Sequence, residues 1–166
     1  MITVTQIRGG GGYMSQHLSM NDYYSEGEDV VGIWLGKAAE KLGLEGQPVR
    51  QADFEALRSN RHPQSSEKLR PRSAKVAYHD FVVSAPKSVS IAAMTGGFER
   101  LLEAYDRCVT RVFDRLEANA AVRVRAGNAY GSEDLQFTGN AVAAAFRHDT
   151  SRMLDPQLIR IWCSPI

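Results

Sequence analysis

Tyr78-His79-Asp80-Phe81-Val82-Val83-Ser84-Ala85, followed by Pro86-Lys87-Ser88-Val89-Ser90, is the stretch whose reading decides the fold. β-Branched and aromatic residues dominate its first part, which predicts a strand over 78–85. Side chains of a strand alternate between its faces, so Asp80 shares a face with Val82 and Ser84, opposite Phe81 and Val83. With the Phe81 face as core, Asp80 looks outward across the sheet, and His79 has the opposite parity. Pro86 suits the opening of a helix, where its missing N–H costs nothing, and 88–94 continues that helix to Gly96 and Gly97.

Downstream, 98–120 carries the clearest helical period. Leu101, Leu102, Tyr105, Cys108, Val109, Val112, Phe113 and Leu116 form one apolar stripe, which marks Cys108 as a small core residue rather than a nucleophile. Segments 122–125 and 135–148 are strand candidates separated by a turn at 127–131, and the small residues Ala141, Ala143, Ala144 and Ala145 permit close packing. The tail 159–166 has no clear pattern. Upstream, 1–7 reads as a short strand ended by Gly9 to Gly12, a run better explained as a flexible turn than as a phosphate cradle, because it lacks the lysine of a Walker loop. A short helix is expected over 13–20, a helical pattern over 31–42 with Gly43 as its stop, and another short helix over 52–57. No internal repeat, heptad or low-complexity tract is present, and mixed strands and helices predict an α+β layer structure.

Composition bounds the function. The 166 residues are 43% hydrophobic and 23% charged, enough for a single domain with its own core. Two cysteines, Cys108 and Cys163, form no disulfide framework or zinc motif and fit a reducing compartment. No apolar run is long enough to span a membrane and no leader pattern opens the chain, so a cytoplasmic protein without a membrane segment is expected. The net charge of +1 argues against a highly basic architectural DNA binder. Charge is unevenly distributed, however: 58–75 holds Arg58, Arg61, Lys68, Arg70, Arg72 and Lys75 against Glu67 alone. The segment is either a solvated loop, as Pro63, Ser65, Ser66 and Pro71 suggest, or a phosphate-contacting surface.

Several motifs in a fixed order carry a family resemblance. Ser84-Ala85-Pro86-Lys87-Ser88-Val89-Ser90, Thr138-Gly139-Asn140, and Phe146-Arg147-His148-Asp149-Thr150-Ser151-Arg152 with Asp155-Pro156-Gln157-Leu158 resemble the TrwC/TraI-type conjugative relaxases, the MobF class of HUH endonucleases. Asp22-Tyr23-Tyr24 and Trp34-Leu35-Gly36-Lys37-Ala38-Ala39 add to the likeness. The resemblance spans residues 1–158 and covers the first half of that family's nicking domain. It implies a mainly antiparallel sheet with packed helices in a palm-like HUH architecture, incomplete at the C-terminus, with 1–166 as a single partial domain.

What the resemblance implies for chemistry is specific. Such relaxases nick plasmid DNA at a transfer origin through a phosphotyrosine intermediate, so origin or other single-stranded DNA is the implied partner, along with other conjugation proteins. Tyrosine ionises near pH 10, so its proton must pass to a base or be drawn off by nearby positive charge. By likeness Tyr13 is the first nucleophile, and Tyr23 or Tyr24 the second. Asp80 orients a histidine or accepts the tyrosine proton. Lys87, Arg152, Arg70, Arg72 and Lys75 are candidates for DNA contact, each with the alternative of a solvent-facing charge. His148 matches the first of three metal-binding histidines, which in the family hold a divalent ion such as Mg²⁺ or Mn²⁺.

The chain departs from this pattern after Leu158. The family continues His-x-His, whereas here Ile159, Arg160 and Ile161 follow. One imidazole is too few, because catalytic metal sites generally use about three protein ligands. The sequence suggests a cause: with one permitted choice of codons, restoring a single cytosine after the Leu158 codon yields Leu-His-Thr-His-Leu-Val-Phe. The expectation is a relaxase-type strand transferase that is truncated and catalytically impaired, or a non-catalytic single-stranded-DNA-binding remnant of one. An altered strand after Leu158 is also expected to leave a neighbouring sheet edge unpaired.

Overall fold

The computed structural model describes residues 1–8, 32–71, 76–125, 133–151 and 155–165. The glycine run, the 13–20 helix, Tyr13, Tyr23, Tyr24, Arg72, Lys75, the 127–131 turn and Arg152 lie outside the described residues.

Seven strands and four helices follow in the order β1 (Ile2–Ile7), β2 (Ile33–Leu35), α1 (Lys37–Lys41), α2 (Gln51–Arg58), β3 (Tyr78–Ser84), α3 (Lys87–Thr95), α4 (Glu99–Ala118), β4 (Ala121–Arg125), β5 (Glu133–Phe137), β6 (Ala143–Thr150) and β7 (Pro156–Pro165), among the described residues. Five strands form one antiparallel sheet in the order β1-β3-β7-β6-β2, while β4 and β5 pair as a separate hairpin. The α+β class and antiparallel sheet read from the sequence are thus the architecture observed.

The tail is the main correction. β7 is the central strand, paired along its length with β3 on one side and β6 on the other, so neither neighbour is left with an open edge there. Its pattern escaped the sequence reading because both faces are covered. A strand buried on two sides shows no polar alternation. On one face Trp162 packs with Val83, Ala143, Ala145 and Val109, backed by Phe81, Tyr105 and Phe113. On the other, Ile161 and Cys163 join Trp34, Phe54, Leu57, Tyr78 and Phe146.

Helix α4 covers the first face through Tyr105, Val109, Val112 and Phe113 of the predicted stripe, while two of its members, Leu116 and Cys108, do not join that contact. Cys108 is exposed. It lies about 100° around the helix from Val109, off the line that meets the sheet. Two further readings give way to tertiary contacts. The helical pattern over 31–42 divides into β2 and α1 at Gly36, whose φ of 102° is a glycine conformation and where a Cβ would stand 2.3 Å from the Ala141 carbonyl oxygen. The 135–148 strand divides into β5 and β6, with Gly139 at φ 56° between them. α3 then packs on α4 and on Leu158 through Ala93, Val89, Leu101 and Leu102.

Candidate active site

The face of the main sheet that carries Asp80 also carries His148. In β3, Asp80 stands across from Cys163, Val82 from Ile161 and Ser84 from Ile159; in β6, Phe146 stands across from Ile161 and His148 from Ile159. Strand parity therefore places Asp80, Ile159, Ile161, Cys163 and His148 on one face. Asp80 does face away from Phe81, as the sequence parity requires, but it does not look out to solvent. It is buried, with 3% exposure, because Trp34, Phe54 and Leu57 make this face a second core. His148 is buried as well.

The carboxylate of Asp80 meets Cys163, whose Sγ–H points to Oδ1 at 4.0 Å. Burial pushes the Cys163 thiol up, and the negative charge of Asp80 adds to that shift, so the sulfur is held protonated. Asp80 and His148 are not brought together. Their cross-strand partners on β7 are four residues apart, about 13 Å along a strand, with Ile161 between them.

Of the predicted DNA-contacting cations, the two among the described residues, Lys87 and Arg70, are tied to protein groups. Lys87 Nζ lies 3.1 Å from Asp155 Oδ2, joining the start of α3 to the start of β7, in an exposed pair that contributes little stability. Arg70 donates from Nε to Asn60 Oδ1 at 3.1 Å, and Asn60 returns a bond from Nδ2 to the Arg70 carbonyl at 2.8 Å. Burial lowers the Arg70 pKa from its ordinary value. Arg58 chelates Glu55, and Arg61 donates to the Ser66 carbonyl. Arg61 and Arg70 thus brace the folded loop after α2, while Arg58 pairs within the helix itself.

Several groups that organise the site were given no role by the sequence reading. Ser90, fully buried, donates to the Pro86 carbonyl and accepts the Leu158 N–H at 3.1 Å, tying α3 to the beginning of β7. Glu117 accepts the N–H of Lys37 at 2.7 Å and that of Ala141 at 3.3 Å, so one buried carboxylate joins α4, α1 and the segment entering β6. Arg147 and Arg160 stand directly across from each other on the α4 face, neutralised by Asp149 and Asp106 respectively.

The TrwC relaxase family model matches residues 7–158. The chain belongs to the TrwC relaxase family. It is 36% identical over 161 residues to the multifunctional conjugation protein TraI of Escherichia coli strain K12, and 35% identical to a second Escherichia coli TraI. Those alignments take in 95% of this chain and 9% of TraI, so the chain spans only a small part of the length of these relatives. Among solved structures, the conjugative relaxase TrwC in complex with oriT DNA superposes with a TM-score of 0.75 at 31% identity in its metal-bound form and 0.73 at 30% in its metal-free form. Each match covers 99% of this chain and 56% of the TrwC chain.

Metal-bound TrwC makes the donor set of this relaxase chain a direct question. Among the described residues, no group of three or more His, Cys, Asp or Glu side chains is placed to hold a metal ion. Around His148 the same-face positions on β7 are Ile159 and Ile161, which have no lone pair to offer. The described residues do not fit the ion. No helix among the described residues is long and apolar enough to cross a membrane.

Proposed function

We propose that this chain binds single-stranded DNA of a plasmid transfer origin as part of a relaxase nicking domain, and that its strand-transfer chemistry is impaired. One observation carries this reading: a relaxase held on oriT DNA matches the chain over 99% of its length. In the reaction assigned to this lineage, the hydroxyl oxygen of Tyr13 attacks the scissile phosphorus and the bond from phosphorus to the 3′ oxygen breaks. The 5′ end remains as a phosphotyrosine and the 3′ oxygen leaves as a hydroxyl, taking up a proton. Tyr23 or Tyr24 serves the later transfer, and Asp80 is the acidic residue near the path of the tyrosine proton. The pentavalent phosphate gains negative charge, and in this chain Ile159 and Ile161 supply nothing to offset it.

Affinity for the strand comes from cations and stacking. Arg72, Lys75 and Arg152 are the assigned phosphate contacts, and Lys87 and Arg70 join them by exchanging protein partners for phosphate oxygens. Phe137, 68% exposed on the β4–β5 hairpin, offers an aromatic face on which a base can stack.

Labelled origin oligonucleotides incubated with the full chain and Mg²⁺ or Mn²⁺ test the proposal. Binding that weakens steeply with salt, without a covalent adduct, is the expected result. An adduct that disappears in Tyr13→Phe would show that strand transfer is intact and overturn the impairment. No binding at low salt would overturn the DNA reading itself.

A further inference from the structure

We propose that the sheet face around His148 is a dismantled cation cradle, in which Ile159 and Ile161 hold the two lost ligand positions and keep the chain free of divalent metal. Register is the basis. His148 and Ile159 are direct cross-strand partners, and Ile161 is the diagonal neighbour of His148 on the same face. Directly opposed side chains in an antiparallel pair have Cβ atoms about 5 Å apart and diagonal ones about 7 Å, so three imidazoles rooted at 148, 159 and 161 have their ring nitrogens within reach of a single ion. Asp80 is in turn the diagonal neighbour of position 161 from the other flanking strand, where it is placed to receive the second N–H of an imidazole there.

Two isoleucines convert this arrangement into a wall of hydrocarbon. Ile161 is 8% exposed and packs with Phe146, Trp34 and Cys163 in the core, so the position is shielded from water as well as stripped of donors. A divalent ion entering here would shed its hydration for one imidazole nitrogen, a large uncompensated cost. The backbone, by contrast, is undisturbed: β7 keeps continuous pairing with both neighbours at 159 and 161. The cradle is therefore lost at the level of side chains alone and is recoverable by two substitutions.

The inference rests on the relaxase assignment, but its test needs no DNA, so its failure and that of the DNA-binding reading are separable. Mn²⁺ alone is titrated into the full chain and free ion is followed by electron paramagnetic resonance. The parent chain is expected to show no saturable site, and Ile159→His/Ile161→His one site per chain, roughly tenfold tighter than any residual binding and abolished by adding His148→Ala. Stoichiometric Mn²⁺ on the parent chain that disappears in His148→Ala overturns the proposal. So does a double variant that is folded by circular dichroism yet gains no site. Should the double variant not fold, Ile159→His alone, at a half-buried position, is expected to create a cross-strand histidine pair that raises Ni²⁺ affinity over the parent; no gain in that folded variant overturns the proposal equally.

Discussion

The Ser90 hydroxyl accepts the backbone N–H of Leu158 at 3.1 Å while donating to the Pro86 carbonyl at 3.2 Å. That single oxygen links the helix after β3 to the entry of the central strand, and it sits where no water reaches it. Replacing it by a methyl group leaves the Leu158 N–H buried without its acceptor. Ser90→Ala is expected to destabilise the fold by about 1–3 kcal/mol, read as a lower urea midpoint with an unchanged slope.

Glu117 makes a stronger demand, because the acceptor is a carboxylate serving two backbone donors, those of Lys37 and Ala141. Glu117→Ala strands both N–H groups, and the expected cost is about 2–4 kcal/mol by chemical denaturation. Glu117→Gln retains one oxygen for the two donors and should recover a large part of that loss. Equal destabilisation by the two variants would show that the negative charge, rather than an acceptor oxygen or packing, carries the contribution.

Thiol accessibility separates the two cysteines. Cys108 is exposed on α4, whereas Cys163 is fully buried beside Asp80. Iodoacetamide at pH 8 is expected to modify Cys108 in the native protein and Cys163 only after addition of denaturant, with mass spectrometry locating each adduct. Rapid native labelling of Cys163 would contradict the central placement of β7.

Alkaline pH should weaken the fold through the same burial. Tyr105 donates to the Val83 carbonyl at 2.8 Å, and its hydroxyl is pushed up to about 12 by burial, with the nearby Arg160 pulling it back. Cys163 is shifted in the same direction. Both are acids whose folded values lie above the unfolded ones. Their contribution is therefore complete below the unfolded pKa values, about 8.5 for the thiol and about 10 for the phenol, and fades as pH rises toward the folded values. Urea midpoints measured from pH 8 to 11 are expected to fall progressively, and Tyr105→Phe should flatten the upper part of the curve.

The gene offers a further check. Inserting one cytosine after the Leu158 codon is expected to give Leu-His-Thr-His-Leu-Val-Phe over 158–164, and sequencing that stretch decides it. The register makes the restored strand physically consistent: histidines would fall at 159 and 161, on the face of His148, and apolar residues would still occupy the buried positions 162 and 163. Codons that cannot produce His-x-His in any frame exclude a single deletion as the origin of Ile159 and Ile161.

Much of this molecule was legible in the residues themselves. The strand at Tyr78–Ser84, the helix with its stripe from Leu101 to Phe113, the family motifs and the opposite parity of Asp80 and Phe81 all follow from local periodicity and chain stereochemistry, which need no knowledge of neighbours. Other features required the assembled sheet. Whether Asp80 meets water or a second core depends on Trp34 and Phe54, distant in sequence, and the centrality of 156–165 depends on β3 and β6 flanking it together. The division of 31–42 at Gly36 depends on the Ala141 carbonyl pressing against it. Side-chain chemistry and alternation are properties of a short segment, whereas burial, register across strands and the convergence of positions 148, 159 and 161 exist only once separate segments lie side by side.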